Sequence, residues 1–324
     1  MAHLFSPLPI DRTKLPNRIV MGPSVSGLAS SDGFINDDLR RYYLRRARSG
    51  VGLIITEAVR VIPPSPESTR AHIGLYSDAF VPQFHQLVQE IHASGARLMI
   101  MLDEPAEAAR RNAQELTLLV EAFISAAWRA LATESDGVMF SVADGGVLHT
   151  LVSPLLNERF DAYGGALDGR LRLPLEIIEG VRTWLGGRLL VGLRLLAEEF
   201  APGGLSLHDA RVIAKRVVAA GARLIDVAAD CRPDAPVARF PGWCMPLAES
   251  IKRVVPDVPI IGAGSMGDPY VADSAIRDGS VDLVMLEKTL RLNPDWPSLA
   301  RSVLTTESID VKQTDTLIKE VFED

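Results

Sequence analysis

Asp144 follows an apolar run, Gly137–Ser141, and precedes Gly145 and Gly146. A carboxylate at the end of a buried apolar segment is a candidate general base or acid. An apolar rim of Val25, Met101 and Phe140 would favour its neutral form and raise its pKa. The other reading is that Asp144 pairs with Arg194 or caps nearby backbone. Ser141 offers a hydroxyl and Arg194 a fixed cation, so the three together could anchor a polar group and move a proton. Asp103 and Glu104 end a second apolar run. They could join Asp144 in a carboxylate pair, but a charged doublet after a strand reads first as a loop surface. His149 reads as a packing residue rather than a catalytic one. Cys231 could be a nucleophile, although no histidine stands beside it in sequence. No H-x-x-x-H, C-x-x-C or acidic repeat points to a metal.

These residues need elements to place them, and the chain supplies an alternation of short apolar runs with longer amphipathic stretches. The candidate strands are Arg18–Met21, Gly52–Thr56, Leu98–Leu102, Gly137–Ser141, Leu189–Leu193, Leu224–Val227, Pro259–Gly262 and Leu283–Leu286. They are nearly uninterrupted by charge, as parallel strands covered on both faces should be. Between them, Leu116–Ala132, Leu171–Leu185 and Leu207–Ala220 place apolar residues at helical spacing, with Ser206 as an N-cap and Gly221 as a stop for the last. Eight β–α units without a linker predict one (β/α)8 TIM barrel over residues 1–304, followed by a polar tail over 305–324. A doubly wound sheet would want a glycine-rich phosphate turn, and GPSVSG (Gly22–Gly27) is not G-x-G-x-x-G. In a barrel the chemistry belongs at the C-terminal strand ends, which selects Pro23–Ser26, Glu57–Ala58, Met101–Glu104, Ser141–Gly146, Arg194, Ala228–Cys231, Gly264–Ser265 and Glu287–Lys288.

Composition narrows the function classes. The 324 residues are 47% hydrophobic with a net charge of −7, which fits a soluble globular protein and argues against nucleic acid as a partner. No apolar run approaches the ~20 residues of a membrane helix. The start, MAHLFSPLPIDRTKL, lacks the order of a signal peptide, so a cytoplasmic protein with two thiols, Cys231 and Cys244, is expected.

Several segments together carry a family likeness: LFSPLPIDRTKLPNRIVMGP (Leu4–Pro23), GLIITEAVRV (Gly52–Val61), SPLLNERFDAYGGALDGR (Ser153–Arg170), VGLRL (Val191–Leu195), PIIGAGSMGDP (Pro259–Pro269) and DLVMLEKTLRLNPDWP (Asp282–Pro297). The chain resembles the old yellow enzyme family of FMN-dependent ene reductases (NADH:flavin oxidoreductases), across almost the whole barrel. The resemblance implies FMN over the strand ends. Pro23, Val25, Ala58 and Met101 would lie beside the ring, Arg194 against its polar edge, and Gly264, Ser265, Glu287 and Lys288 near the phosphate. It also implies NAD(P)H as reductant and a hydrophobic, enone-like carbonyl compound as substrate. Self-association into a homo-oligomer is a prior from the family.

The likeness breaks on the fourth strand. The family pattern G-V-E-I-H-x-A-H/N-G-Y reads here Gly137-Val138-Met139-Phe140-Ser141-Val142-Ala143-Asp144-Gly145-Gly146. Ser141 and Asp144 stand at the two positions that clamp the substrate carbonyl, and Gly146 stands where a tyrosine supplies the proton. Asp103-Glu104 replace the end of Q-L-x-H, and the excursion after strand three, Pro105–Glu115, is short. The main expectation is therefore a barrel that has left flavin reduction for acid–base chemistry through Asp144, with Ser141 and Arg194 as anchors: an isomerisation, cyclisation or elimination. The alternative is an FMN-dependent NAD(P)H oxidoreductase with a rewired site. A second alternative is a non-catalytic binding barrel.

Overall fold

The computed structural model describes residues 2–65, 71–229 and 238–305. Eight parallel strands close on themselves: β1 (Ile19–Met21), β2 (Leu53–Ile55), β3 (Arg97–Leu102), β4 (Gly137–Val142), β5 (Leu190–Leu196), β6 (Leu224–Ala228), β7 (Ile260–Gly262) and β8 (Leu283–Met285). Each pairs with the next, and β8 returns to β1 through Val284–Ile19 and Met285–Val20. This is the (β/α)8 barrel.

The helices wrap the outside because each carries one apolar stripe. Ala113–Ala132 begins with a capping box between Asn112 and Glu115 and buries Leu116, Leu119, Val120, Phe123, Ala126, Ala127 and Ala130. Leu207–Ala220 has a second capping box, Ser206 with Asp209, and stops at Gly221, whose φ of 138° favours glycine. Ser206 and Gly221 thus do what the sequence pattern asks of them.

Strand alternation divides the core. Leu53, Ile55, Met99, Met101, Met139, Leu190, Leu224, Ile261, Leu283 and Met285 fill the barrel, while Ile54, Leu98, Ile100, Val138, Phe140, Leu193 and Val227 face the helices. On β4, β5 and β6 the interior-facing parity continues upward to Ser141, Arg194 and Asp226. The register aligns these three side by side, Ser141 with Arg194 and Arg194 with Asp226. An apolar interior therefore ends in one polar layer at the mouth.

Two expectations change here. β5 runs to Leu196 rather than Leu193, so Arg194 belongs to the strand rather than to the loop after it. An antiparallel hairpin, Leu8–Ile10 with Thr13–Leu15, turns at Asp11 and Arg12 before the first barrel strand and packs Ile10 and Leu15 into the barrel's core cluster. Cys231 and the tail from residue 306 lie outside the described residues. Among the described residues no helix is long and apolar enough to cross a membrane, and no group of histidine, cysteine or carboxylate side chains could hold a metal ion.

Candidate active site

A cavity of about 370 Å³ opens at the C-terminal ends of β1 to β4, a size suited to a small organic molecule. Pro23, Val25, Ala58 and Met101 line it together with Asp103, Asp144, Gly145 and Gly146. A larger cleft of about 610 Å³ lies to the side, between Ala106–Arg110 and Thr150–Arg159. We place the chemistry in the smaller cavity because the strand-end carboxylates open into it.

Arg194 organises the polar layer beneath. It is 7% exposed. Its Nε donates to Asp144 Oδ2 at 2.7 Å and its Nη1 to Asp226 Oδ2 at 2.5 Å, with Met285 Sδ 3.3 Å from the same nitrogen. Burial alone would lower the guanidinium pKa, but Asp226 and Asp144 more than offset it, so the cation is held above its ordinary value. Asp226 is fully buried and its second oxygen, Oδ1, has no hydrogen-bond partner. Burial pushes that carboxyl up and Arg194 opposes the rise. Asp144 thus takes the Arg194 pairing that the sequence left open beside a proton-transfer role. Its Oδ2 also accepts from Ser141 Oγ at 3.0 Å, and its backbone sits in the left-handed region at φ 62°. Ser141 itself is fully buried, with Ala143 as its other partner, and does not line the cavity.

Asp103 and Glu104 correct the loop-surface reading: they are 5% and 3% exposed. The chain after β3 folds inward against the β4 loop, where Pro105 bridges Gly146 and Val147 N–H donates to the Glu104 carbonyl at 2.7 Å. Glu104 Oε1 accepts from the N–H groups of Val61 and Ile62 at 2.8 and 2.9 Å, so it pins the β2 loop. Asp103 accepts from Glu104 N–H at 2.8 Å and lines the cavity. Burial drives its carboxyl well above the usual carboxylate range, with Asp144 and Glu104 acting in the same direction. A Cβ at Gly146 would fall 1.8 Å from Asp103 Oδ2. The glycine and the inward aspartate therefore require each other. Sequence reading named Asp103 but placed it wrongly, and it passed over Asp226. The available signal for Asp226 was a lone carboxylate inside the apolar strand LIDVA.

The loop after β4 is scaffold. Asn157 Nδ2 donates to the carbonyls of Leu151 and Tyr163, and Arg159 Nη1 to those of Ala109 and Arg111, both at 2.7 Å. Tyr163 OH donates to Glu176 at 3.0 Å. His149 Nδ1 accepts from Gly145 N–H at 2.9 Å, which braces the turn below the cavity and agrees with a packing role. Glu57 holds the loop after β1 through Ser26, accepting from its hydroxyl at 2.7 Å and its N–H at 3.0 Å.

Gly264, Ser265, Glu287 and Lys288 lie across the mouth, after β7 and in the helix after β8 (Glu287–Leu292), and do not line this cavity. Gly264 has φ 107° and its Cβ would meet Cys244 N at 2.8 Å, so only glycine fits. Glu287 turns toward Arg194, with Oε2 3.9 Å from Nη2.

The chain matches the family model for the NADH:flavin oxidoreductase / NADH oxidase family over residues 3–116 and 110–307. The chain belongs to that family. It is similar to an NADH oxidase of Thermoanaerobacter brockii, 32% identical over 92% of this chain and 50% of that protein. It spans about half the length of that relative but nearly all of an NADPH dehydrogenase of Halalkalibacterium halodurans, to which it is 32% identical over 94% of this chain and 96% of the other. Among solved structures it shares its fold with 2-naphthoyl-CoA reductase (TM-score 0.83, 22% identity, 91% of this chain and 51% of that one) and with morphinone reductase (TM-score 0.76, 22% identity, 93% and 89%).

Family membership implies FMN, and the residues present fit it. Pro23, Val25, Ala58 and Met101 offer an apolar bed. Gly27 and Gly145 leave open space above their Cα atoms, with nothing within 4 Å of a Cβ. Arg194 places a fixed cation below the mouth, and Gly264 keeps a close-packed backbone turn after β7. The hydrogen bond that a glutamine side chain would give is absent at Met101.

Proposed function

We propose that the chain is an FMN-dependent NAD(P)H oxidoreductase acting on a small hydrophobic carbonyl compound, with a rewired strand-four site. The observation that carries this reading is the strand-end cavity, lined by Pro23, Val25, Ala58 and Met101 and bordered by Asp144 of the Arg194 layer, in a chain of the NADH:flavin oxidoreductase family. The comparisons support it over flavin-free acid–base chemistry.

When bound, FMN supplies hydride transfer between nicotinamide and substrate. The chain's part is placement. Pro23, Ala58 and Met101 would give an apolar surface on one side of the bound group, with Val25 at its exposed edge. Arg194, clamped by Asp144 and Asp226, would supply a fixed positive charge. Gly264, Ser265 and Lys288 would hold the phosphate, Lys288 as a point charge. Asp144 and Ser141 hold the position of the carbonyl clamp, but Asp144 serves Arg194 first, so substrate polarisation rests on fewer donors than the family pattern provides.

The test is the visible spectrum of the purified protein, followed by anaerobic addition of NADPH and NADH. Bound FMN that bleaches on mixing is the expected result. Protein without flavin, which also fails to take up added FMN, would return the acid–base reading to first place.

A further inference from the structure

We propose that Asp103 is the proton donor of this site, its carboxyl reaching the cavity at the root of the side chain that residue 146 lacks. This rests on the oxidoreductase reading above. The geometry is direct. Asp103 Oδ2 lies 1.8 Å from the point where a Cβ at Gly146 would be, so the carboxyl fills the volume that the glycine vacates. Both residues line the same cavity, beside Met101 and Asp144. The bridge between Pro105 and Gly146 and the Val147 to Glu104 hydrogen bond lock the two segments together, so the carboxyl is held in place by backbone on both sides.

Its state suits the task. A group that gives a proton near neutral pH must still hold it there. Burial pushes the Asp103 carboxyl well above the usual carboxylate range, the direction that a proton donor needs. The charged groups facing it are Asp144 from the β4 loop and Glu104 beside it, both of which oppose its ionisation. Glu57 and Arg60, from the segment after β2, line the same cavity. In the step, hydride supplied by NAD(P)H forms the new C–H bond at the β-carbon of an α,β-unsaturated carbonyl compound. The α-carbon then takes the proton of Asp103: the O–H bond breaks, its electron pair stays on the carboxylate, and water restores the proton between turnovers. The net change is addition of one hydride and one proton across the C=C bond.

The experiment separates reduction from reoxidation in wild type and Asp103→Asn, with 2-methylcyclohex-2-en-1-one as the oxidant. NADPH should bleach the flavin of both proteins equally. Reoxidation by the enone should fall by about 10²-fold or more in Asp103→Asn. The basic limb in the wild-type pH profile of that step should disappear, and the 2-methyl product should lose its enantiomeric excess. Asp103→Ala combined with Gly146→Tyr moves the acid to the turn after β4, and should recover at least about tenfold of what Asp103→Ala loses. Equal reoxidation rates, profiles and product stereochemistry in wild type and Asp103→Asn, with flavin bound and reduced in both, would overturn the assignment of Asp103 while leaving the oxidoreductase reading intact. A wild-type protein that neither binds nor reduces FMN would overturn both.

Discussion

Two arginines order the mouth of the barrel, and their partners come from very different distances along the chain. Arg159 binds Asp161, two residues away, and the carbonyls of Ala109 and Arg111. Arg194 binds Asp144 and Asp226, 50 and 32 residues away, the first from the turn after β4 and the second from β6. The first makes a loop that its own sequence can spell out. The second is closed only by barrel register, which sets β4, β5 and β6 side by side. A local node fixes shape, whereas the distant node gathers three charges at the strand ends, one of them, Asp144, lining the cavity. The chain thus keeps the family pattern in one stretch and departs from it in the stretch just before.

The sharpest break of this comparison is Arg194→Met. It leaves Asp226 fully buried and Asp144 partly buried without their cation. Removing one partner of a buried pair costs about 3–5 kcal/mol, and urea unfolding should show a loss of that order together with loss of bound flavin. Adding Asp226→Leu should restore most of the stability, because the stranded charge is gone, but not the flavin. A loss below about 1 kcal/mol in the single variant would mean that the layer is not held by this network.

Arg159→Ala tests the local node, and a smaller effect is expected. It removes two charge-assisted bonds to carbonyls and a partly exposed ion pair, worth about 2–3 kcal/mol together. Faster proteolysis within residues 153–163 should accompany it, while the rate of flavin reduction by NADPH stays near wild type. An equal collapse of flavin binding would erase the distinction between scaffold and site.

What could be read in advance follows the same division. The eight strands, the helix between Ser206 and Gly221 and the Asn157–Gly165 loop depend on neighbours in sequence or on a period, so they were legible, whereas the Asn112 capping box was not read. The inward turn of Asp103 was not, because it depends on a missing side chain at residue 146, in the turn after the next strand. Nothing near Asp103 in sequence distinguishes it from a solvated carboxylate. Nor was the N-terminal hairpin anticipated, since Leu8–Ile10 and Thr13–Leu15 are three residues each and too short to show alternation. Asp226 gave a signal in its own strand, but its meaning depends on Arg194 being the adjacent residue on β5.

The smallest effect, and the most diagnostic for the turn between scaffold and site, is expected at Asp144. Its side chain is 37% exposed, so solvent screens its pairing with Arg194, and Asp144→Asn should cost no more than about 1 kcal/mol. Asparagine also tolerates the left-handed backbone that this position adopts, at φ 62°. Asp144→Ala removes the same charge but has no short polar side chain to favour that conformation, and should cost about 1 kcal/mol more than the asparagine variant. Two urea titrations decide the point. If alanine and asparagine are equally mild, the turn is held by its surroundings, chiefly the His149 brace on Gly145. If alanine is clearly worse, the aspartate was retained in part for the backbone it permits, and its charge is the lesser reason it stands where the family keeps a carbonyl clamp.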